Sequence, residues 1–399
     1  MKGANKVQKS IIPVVFAADE NYVPYCGVAI SSLIKHTSID NEYKIYVLYD
    51  RLPSSDIIRL ERLTTANAAV QCVCVHEAMQ ARTAREYNHL TIASAYRLVI
   101  TDMLPQYDKI IYLDSDIVIR ADIAQLYDMD IGDNILGAAH GCYDHAKTEF
   151  MHSYITKRLK IKIDNFFNAG ILIINTKAFR EENIAEKCFS LLRGRRKLVF
   201  MDQCALNIVC ENRVFFIPKE WNYEWLFLFF PESSMKRNPE AVFEILSNPA
   251  LVHYSGIEKP WQYPNMPLAE IFWQYARESV FYEEILLGNA LYKTKELLEL
   301  LGITCKYENI IIYGAGNAGK RYVKKIRAMK LCNIVLWCDK NYCEKTGYEL
   351  PVESIERIFT TKFDHILIAI ENTEISNQVR GMLLSRNVDS EKILQIRRN

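Results

Sequence analysis

The sequence lacks several features that would each point to a particular class of protein. It has no run of about 18 consecutive apolar residues, so we expect no transmembrane helix. Its 11 cysteines are odd in number and form no CxxC pair, which favours small buried apolar side chains in a reducing compartment over a disulfide framework. The net charge is only +1, which argues against nucleic acid as a partner. No internal repeat or low-complexity segment is present.

The N-terminal segment MKGANKVQKSIIPVVFAADE has a basic start, but Pro13 interrupts its apolar run, which then ends in charge. We therefore expect a first β-strand rather than a signal peptide, and a cytoplasmic protein. The basic cluster RGRRK (193–197) is typical of a solvated helix end. Contact with anionic lipid or glycan is the alternative, and it leaves open a peripheral position at the inner face of the membrane.

The composition is that of a globular protein with more than one domain. Of the 399 residues, 50% are hydrophobic and 24% are charged, and this length suggests at least two domains. Strand-like and helix-like segments alternate over the first part of the chain, which predicts an α/β fold with a mostly parallel sheet covered on both faces by helices. The predicted strands here are IIPVVFAAD, YKIYVLYD, AVQCVCV, KIIYLDSDIVI, FFNAGILIINT and RVFFIP.

The composition changes after about residue 275. A leucine-rich, charged stretch, EEILLGNALYKTKELLELLGI, is followed by a new strand, NIIIYGAG (309–316), which begins a second βαβ pattern. We therefore predict a first domain over residues 1–280, a helical linker over 281–305 and a small α/β domain over 306–399.

Two aspartates stand in the middle of the apolar segment YDKIIYLDSDIVI (107–119). Within one strand, Asp114 and Asp116 would share a face with their Cα atoms about 7 Å apart. At an effective dielectric constant of about 20, their charges would repel by about 2 kcal/mol. Protonation of one carboxylate or a cation between them would relieve this repulsion. Open α/β sheets bind ligands beyond the carboxyl ends of their strands, so a cation that holds a phosphate fits here. A solvated turn or a helix cap is the alternative.

Six separate segments, in the same order along the chain, resemble those of glycosyltransferase family 8. This family of retaining nucleotide-sugar transferases includes bacterial lipooligosaccharide galactosyltransferases. The segments are FAADENY (16–22), ASAYRL (93–98), YLDSDIVI (112–119), FFNAGILIINT (166–176), MDQCALN (201–207) and HYSGIEKPW (253–261). The resemblance implies a nucleotide-sugar-binding fold of the GT-A type with a mixed, mostly parallel sheet.

The resemblance also implies roles for individual residues. Asp114 and Asp116 match the family's metal-binding DxD motif, and His253 matches its third protein ligand. This mixed set of oxygen and nitrogen ligands suits Mn²⁺, with Mg²⁺ as the alternative. The positions that match donor-binding residues are Asp19, Asn21, Arg97, Asp114, Ser115, Asn168, Gly256 and Lys259. The positions that match the catalytic centre are Gln203, Asp202 and Lys259.

The chain departs from the family pattern at one position. The family often has an aspartate shortly after the LGA that follows the fourth strand, where this sequence has Gly141, and Asp144 only three residues later. Asp144 is the candidate substitute.

The reaction implied is metal-dependent transfer of a hexose, glucose or galactose, from a UDP-sugar to a hydroxyl of a bacterial surface glycan, glycolipid or glycoprotein. Gln203 occupies the place of a nucleophile, which favours displacement on one face of the sugar over a covalent intermediate on Asp202. The aromatic stretch WNYEWLFLFFPE (221–232) is a candidate wall for the acceptor, with core packing as the alternative. A catalytically inactive protein that binds a nucleotide sugar, or serves as a scaffold, is the competing hypothesis.

A second glycine motif lies in the C-terminal part of the chain. YGAGNAGK carries Gly314, Gly316 and Gly319 as GxGxxG between a predicted strand and a helix, and Asp339 ends the next strand. This context resembles the small Rossmann-like domains attached to some bacterial sugar-modifying enzymes, and it indicates a dinucleotide site. Packing or homo-oligomerisation through a degenerate fold is the alternative, and an NAD-linked enzyme is a further one.

Overall fold

The chain divides into two compact units, Met1–Asn289 and Ala290–Asn399. A computed structural model describes residues 9–82, 92–141, 149–194, 198–225, 249–289, 309–329, 332–344 and 350–396. Most of the predicted linker, 290–305, lies outside these residues, so the predicted domain limits stay a prediction. None of the helices within the described ranges has the length and apolar character needed to cross a membrane.

The first unit contains ten strands within the described residues. They are β1 (Ser10–Ala17), β2 (Asn41–Tyr49), β3 (Ala68–Cys74), β4 (Lys109–Leu113), β5 (Ile117–Ile119), β6 (Leu136–His140), β7 (Phe167–Asn175), β8 (Val214–Phe216), β9 (Tyr223–Glu224) and β10 (Leu251–His253).

Helices connect these strands. Among the described residues, the α-helices include α1 (Val23–Lys35), α2 (Ser54–Glu61), α3 (His76–Gln80), α4 (Ile100–Met103), α5 (Ala124–Tyr127), α6 (Glu149–Ser153), α7 (Thr176–Glu181), α8 (Ile184–Arg193), α9 (Met201–Val209) and α10 (Ala269–Glu278), and residues 282–289 are also helical. In addition, 3₁₀ segments cover Ile92–Val99, Ile163–Asn165 and Lys219–Asn222, and a π-helical segment covers Tyr154–Leu159.

A seven-stranded sheet, in the order β3-β2-β1-β4-β7-β6-β8, forms the centre of this unit. Strands β3, β2, β1 and β4 are parallel, β7 is antiparallel to both β4 and β6, and β8 is parallel to β6. Alternate residues of β1 enter two different hydrophobic clusters, Val14 and Phe16 on one face and Val15 on the other. Because both faces of the sheet are buried, the sequences of its strands are nearly continuous runs of apolar residues. The predicted α/β fold with a mixed, mostly parallel sheet is confirmed.

The segment that carries the two aspartates differs from the prediction. It is not one strand: β4 ends at Leu113 in the large sheet, and β5 begins at Ile117 in a separate three-stranded sheet ordered β5-β10-β9. Asp114 and Asp116 therefore lie where the chain passes from one sheet to the other, and their expected placement on one face of a single strand was wrong. Apolar residues flank this crossing on both sides, so the sequence pattern did not reveal it.

The second unit is a parallel α/β structure. It contains β11 (Asn309–Tyr313), α11 (Asn317–Met329), β12 (Asn333–Cys338), β13 (His365–Ile368), α12 (Thr373–Ser385) and β14 (Ile393–Gln395), with 3₁₀ segments at Tyr342–Glu344, Ile355–Thr360 and Ser390–Lys392. Its strand order is β12-β11-β13-β14. This is the 2-1-3-4 order of flavodoxin-like sheets, whereas the usual dinucleotide-binding order begins 3-2-1-4. The Rossmann-like character of this unit stays a prediction.

Candidate active site

The two sheets meet at a cluster of three potential metal ligands. Asp114 follows β4, Asp116 precedes β5, and His253 ends β10, whose antiparallel register pairs it with Ile117. One ligand atom from each of the three lies within 4.8 Å of the others. His253 Nε2 is 3.4 Å from Asp116 Oδ1 and 3.9 Å from Asp114 Oδ2. The structure thus brings together the three side chains that the sequence predicted as ligands.

Lys259 supplies a positive charge at this cluster. Its Nζ donates to Asp116 Oδ2 at 2.5 Å and to the Tyr254 carbonyl at 2.7 Å. Burial by itself would raise the pKa of Asp116, but the charges of Lys259 and His253 outweigh it and hold that pKa well below its ordinary value. Burial likewise would lower the pKa of His253, but the Asp116 and Asp114 carboxylates raise it above its ordinary value. Asp116 is therefore charged at neutral pH and suited to a cation.

Arg97 lies buried behind Asp114. Its Nη2 donates to Asp114 Oδ1 at 2.9 Å, and its guanidinium carbon lies 4.5 Å from the centre of the Tyr112 ring. The Tyr112 hydroxyl donates to the same Asp114 oxygen at 2.8 Å. Arg97 also donates to the Ala169 carbonyl. These contacts fix the Asp114 carboxylate in place, and the predicted contact of Arg97 with the donor sugar stays a prediction.

The two predicted catalytic residues of helix α9 border the same region. Asp202 Oδ1 accepts a hydrogen bond from Ser94 Oγ at 2.6 Å, and Asp202 Oδ2 lies 2.9 Å from Arg97 Nε. That Arg97 N–H points at the Ser94 carbonyl, 2.8 Å away, so Asp202 Oδ2 accepts no hydrogen bond from the residues that the structure describes. Gln203 Oε1 accepts from the Ala169 N–H at 3.0 Å. Asp202 thus lies beside Arg97, the hydrogen-bond partner of Asp114, and Gln203 is bonded to Ala169, whose carbonyl also accepts from Arg97.

Gly170 of strand β7 lies against two of the candidate metal ligands, His253 and Asp114. A Cβ atom at this position would lie 2.4 Å from His253 Cε1 and 2.8 Å from Asp114 Oδ2. The Gly170 carbonyl also accepts the Asp114 N–H at 2.7 Å. In the sequence, this glycine stands out only as part of a family segment, because its need for space arises from two distant parts of the chain.

The predicted nucleoside and phosphate contacts lie at the ends of neighbouring strands. Asp19 follows β1, and its Oδ1 accepts the N–H groups of Asn21 and Tyr22 at 3.0 and 3.1 Å. Ser115 Oγ donates to the Ala17 carbonyl at 2.7 Å, which ties the aspartate segment to β1. Gly256 has a φ of 93°, a conformation that favours glycine. Their roles toward a ligand stay predictions.

Two further residues of the site were missed by the sequence analysis. Tyr22 has a pKa raised first by burial and then by the charges of Asp116, Asp19 and Asp114, so its hydroxyl lies within the electrostatic influence of these carboxylates. Asn222 contacts His253 Nδ1 through its Oδ1 at 2.8 Å. Neither was given an individual role from the sequence: Tyr22 only ends the family segment FAADENY (16–22), and Asn222 lies in the aromatic stretch considered as an acceptor wall. Residues 226–232 of that stretch, residues 195–197 of the basic cluster and Asp144 lie outside the described residues.

The glycine motif of the second unit forms a tight turn. Gly314 has a φ of 106°, and a Cβ at Gly319 would lie 1.9 Å from the Gly314 carbonyl oxygen. These are the turn and close-packing roles expected of such glycines. Asp339, however, accepts the Ala315 N–H at 2.7 Å through Oδ2, so it binds the loop that was expected to hold a phosphate. The dinucleotide site stays a prediction.

Comparison with known proteins identifies the family. The model of glycosyl transferase family 8 matches residues 13–264. The chain is 30% identical over 260 residues to General stress protein A of Bacillus subtilis (strain 168), which covers 63% of this chain and 87% of that protein. It is 27% identical over 271 residues to the lipopolysaccharide 1,3-galactosyltransferase of Salmonella typhimurium, which covers 65% of this chain and 76% of that protein.

A solved structure shows the same fold. The apo structure of the bifunctional glycosyltransferase WbbM aligns with a TM-score of 0.63 and 27% sequence identity over 71% of this chain. The present chain covers 52% of WbbM, about half of its length. These comparisons confirm the family indicated by the six sequence segments: the chain belongs to glycosyltransferase family 8, and its fold is of the GT-A type.

Proposed function

We propose that the protein is a divalent-cation-dependent, retaining hexosyltransferase that transfers glucose or galactose from a UDP-sugar to a hydroxyl of a bacterial surface glycan, glycolipid or glycoprotein. The observation that carries the proposal is the convergence of Asp114, Asp116 and His253 within 4.8 Å at the ends of three strands. The similarity to a lipopolysaccharide galactosyltransferase supports a hexose donor. A cytoplasmic location of the protein, with a peripheral position at the inner face of the membrane as the alternative, belongs to the same proposal.

The ligand set fits a hard to borderline divalent cation. Two carboxylates and one imidazole suit Mn²⁺, whereas Mg²⁺ would prefer oxygen ligands alone. When bound, the cation would neutralise negative charge that develops on the leaving diphosphate. Lys259, which contacts Asp116, would add a positive charge beside that diphosphate.

The reaction breaks the bond between the anomeric carbon and the diphosphate oxygen, and the electron pair leaves with UDP. The acceptor oxygen forms its new bond on the same face of the sugar, and its proton passes to the departing phosphate. Asp202 is poorly suited to act instead as a nucleophile because it accepts a hydrogen bond from Ser94 and lies beside the charge of Arg97. Gln203, anchored through Oε1 to the Ala169 N–H, would border the donor sugar.

Release of UDP from UDP-glucose and from UDP-galactose tests the proposal, with Mn²⁺ or with a chelator. We expect wild-type release that requires Mn²⁺, and a loss of at least about 100-fold in Asp116→Asn, because a group that stabilises developing charge is typically worth that much. The exposed Asp128 provides the matched control, and Asp128→Asn should retain wild-type release. If neither donor is bound or cleaved with Mn²⁺ present, the competing hypothesis of an inactive scaffold replaces the transferase.

Binding of a dinucleotide by the second unit and homo-oligomerisation stay separate predictions. A fluorescence titration with NAD(H), followed by a turnover assay, would distinguish a redox enzyme from a module that only binds the nucleotide.

A further inference from the structure

Asn222 is a fully buried amide next to the metal-ligand candidate His253. It ends the 3₁₀ segment Lys219–Asn222 and directly precedes β9, which pairs in parallel with β10 so that Glu224 faces His253. Its side chain is 0% exposed. A buried amide needs hydrogen-bond partners for both of its ends, so its contacts reveal what it holds in place.

Asn222 connects two residues of the site. Its Oδ1 lies 2.8 Å from His253 Nδ1, and its Nδ2 donates to Asn168 Oδ1 at 3.0 Å. Asn168 Oδ1 also accepts the backbone N–H of Gly170 at 2.8 Å. Four residues, from the strands β7 and β10 and from a 3₁₀ segment, are thereby joined in one series of hydrogen bonds.

The Gly170 backbone fixes which group donates and which accepts in each hydrogen bond of this series. The Gly170 N–H can only donate, so the Asn168 atom that it meets must be the carbonyl oxygen. That oxygen can only accept, so Asn222 must present its NH₂ to it and its own carbonyl oxygen to His253. A carbonyl oxygen again only accepts, which places the proton of a neutral His253 on Nδ1. The lone pair of Nε2 then faces Asp116 Oδ1, 3.4 Å away.

We propose that Asn222 is a positioning residue for metal binding and for the donor sugar together. Asn222 selects the His253 tautomer whose Nε2 can bind a cation. It also fixes the orientation of the Asn168 amide, because Asn168 Oδ1 accepts from Asn222 and Gly170 and the Asn168 NH₂ group therefore lies on the other side. Asn168 Nδ2 donates to no atom within the described part of the chain, so it is the end of this amide that is left for a ligand. The inference rests on the proposed function for its metal, whereas the tautomer itself can be observed without one.

Binding of Mn²⁺ alone to the full-length protein, measured from the electron paramagnetic resonance signal of the free ion, tests the role of Asn222. Asn222→Leu keeps the approximate volume but removes both hydrogen bonds, and we expect the Kd for Mn²⁺ to rise about 10- to 100-fold, as is typical when a partner of a metal ligand is lost. Asn222→Asp keeps an acceptor for His253, and its Kd should stay within about threefold of wild type or fall. Because this variant cannot donate to Asn168, the KM for the donor should rise.

Asn207 provides the matched control. It is as buried as Asn222, with an exposed fraction of 1%, and its amide bonds to backbone atoms of Phe167 and Gln203 rather than to a metal ligand. Asn207→Leu should lower the Tm and leave the Kd for Mn²⁺ unchanged. Equal weakening of Mn²⁺ binding by Asn207→Leu and Asn222→Leu would overturn the inference, because loss of any buried amide would then suffice.

Long-range ¹H–¹⁵N spectra of histidine-labelled protein, with His253→Gln used for assignment, report the tautomer directly. We expect neutral His253 to carry its proton on Nδ1 in wild type and to shift toward Nε2 protonation in Asn222→Leu. A wild-type proton on Nε2 would overturn the inference. Failure of wild type to bind Mn²⁺ would refute the proposed function, whereas normal Mn²⁺ binding by Asn222→Leu would refute the role of Asn222 alone.

Discussion

Gly170→Ala adds only one methyl group, and we predict that this small change damages the site. The added Cβ would lie 2.4 Å from His253 Cε1, 2.8 Å from Asp114 Oδ2 and 3.0 Å from Asn168 Oδ1. Ordinary van der Waals contact begins at about 3.4 Å, so the imidazole would have to recede by about 1 Å. It has little room to do so, because its Nδ1 is bonded to the buried Asn222.

We expect Gly170→Ala to impair function while the protein still folds. Metal ligands must hold their distances within about 0.2 Å, and a misplacement of about 1 Å can cost about 100-fold in rate. A factor of 100 corresponds to about 2.7 kcal/mol of transition-state stabilisation. Overpacking a buried site typically costs about 1–3 kcal/mol of unfolding free energy, so Gly170→Ala should still fold.

Three measurements on purified protein check this prediction: the Kd for Mn²⁺, Mn²⁺-dependent UDP release and the Tm. Gly137→Ala is the matched control, since Gly137 lies in the neighbouring strand β6 and its added Cβ would lie 3.1 Å from Ile131 Cγ2 and 3.2 Å from Ile173 Cβ. This control should lower the Tm and leave Mn²⁺ binding unchanged. Wild-type Mn²⁺ affinity and UDP release in Gly170→Ala would show that the ligands are not held against β7 as described.

Two further predictions concern pH and the second unit. Because the pKa of His253 is raised and that of Asp116 is lowered, protons should compete for the imidazole first, so Mn²⁺ affinity should begin to fall at a pH above the ordinary histidine value of about 6.5. An isothermal titration series across pH checks this, and constant affinity down to pH 5 would contradict it. In the second unit, Gly319→Ala should expose β11 to rapid hydrogen exchange, because its Cβ would lie 1.9 Å from the Gly314 carbonyl oxygen. Gly316→Ala, with nothing within 4 Å of its Cβ, should exchange like wild type, and equal protection in both variants would contradict the packing described.

The alternation of apolar strands and helices predicted the α/β class because both faces of the parallel strands are buried. The three metal-ligand candidates were recognised from their sequence segments, and the structure then brought their side chains together. The roles of Asn222 and Tyr22 could not be recognised in the same way, although Tyr22 ends the segment FAADENY (16–22). An asparagine or a tyrosine is common in many surroundings, and its importance here depends on a neighbour in another segment of the chain, such as His253.

The sequence by itself determined the family, the class of fold and the chemical types at the site, because these depend on periodicity and on residues that stand in fixed local order. Only the tertiary structure decided that the chain changes sheets between Asp114 and Asp116. It also decided that Gly170 leaves room for His253, and that Asp339 bonds to the glycine loop. The physical reason is the same in each case: these relations join atoms from segments distant in sequence, and packing and hydrogen bonding select them only when the chain is folded.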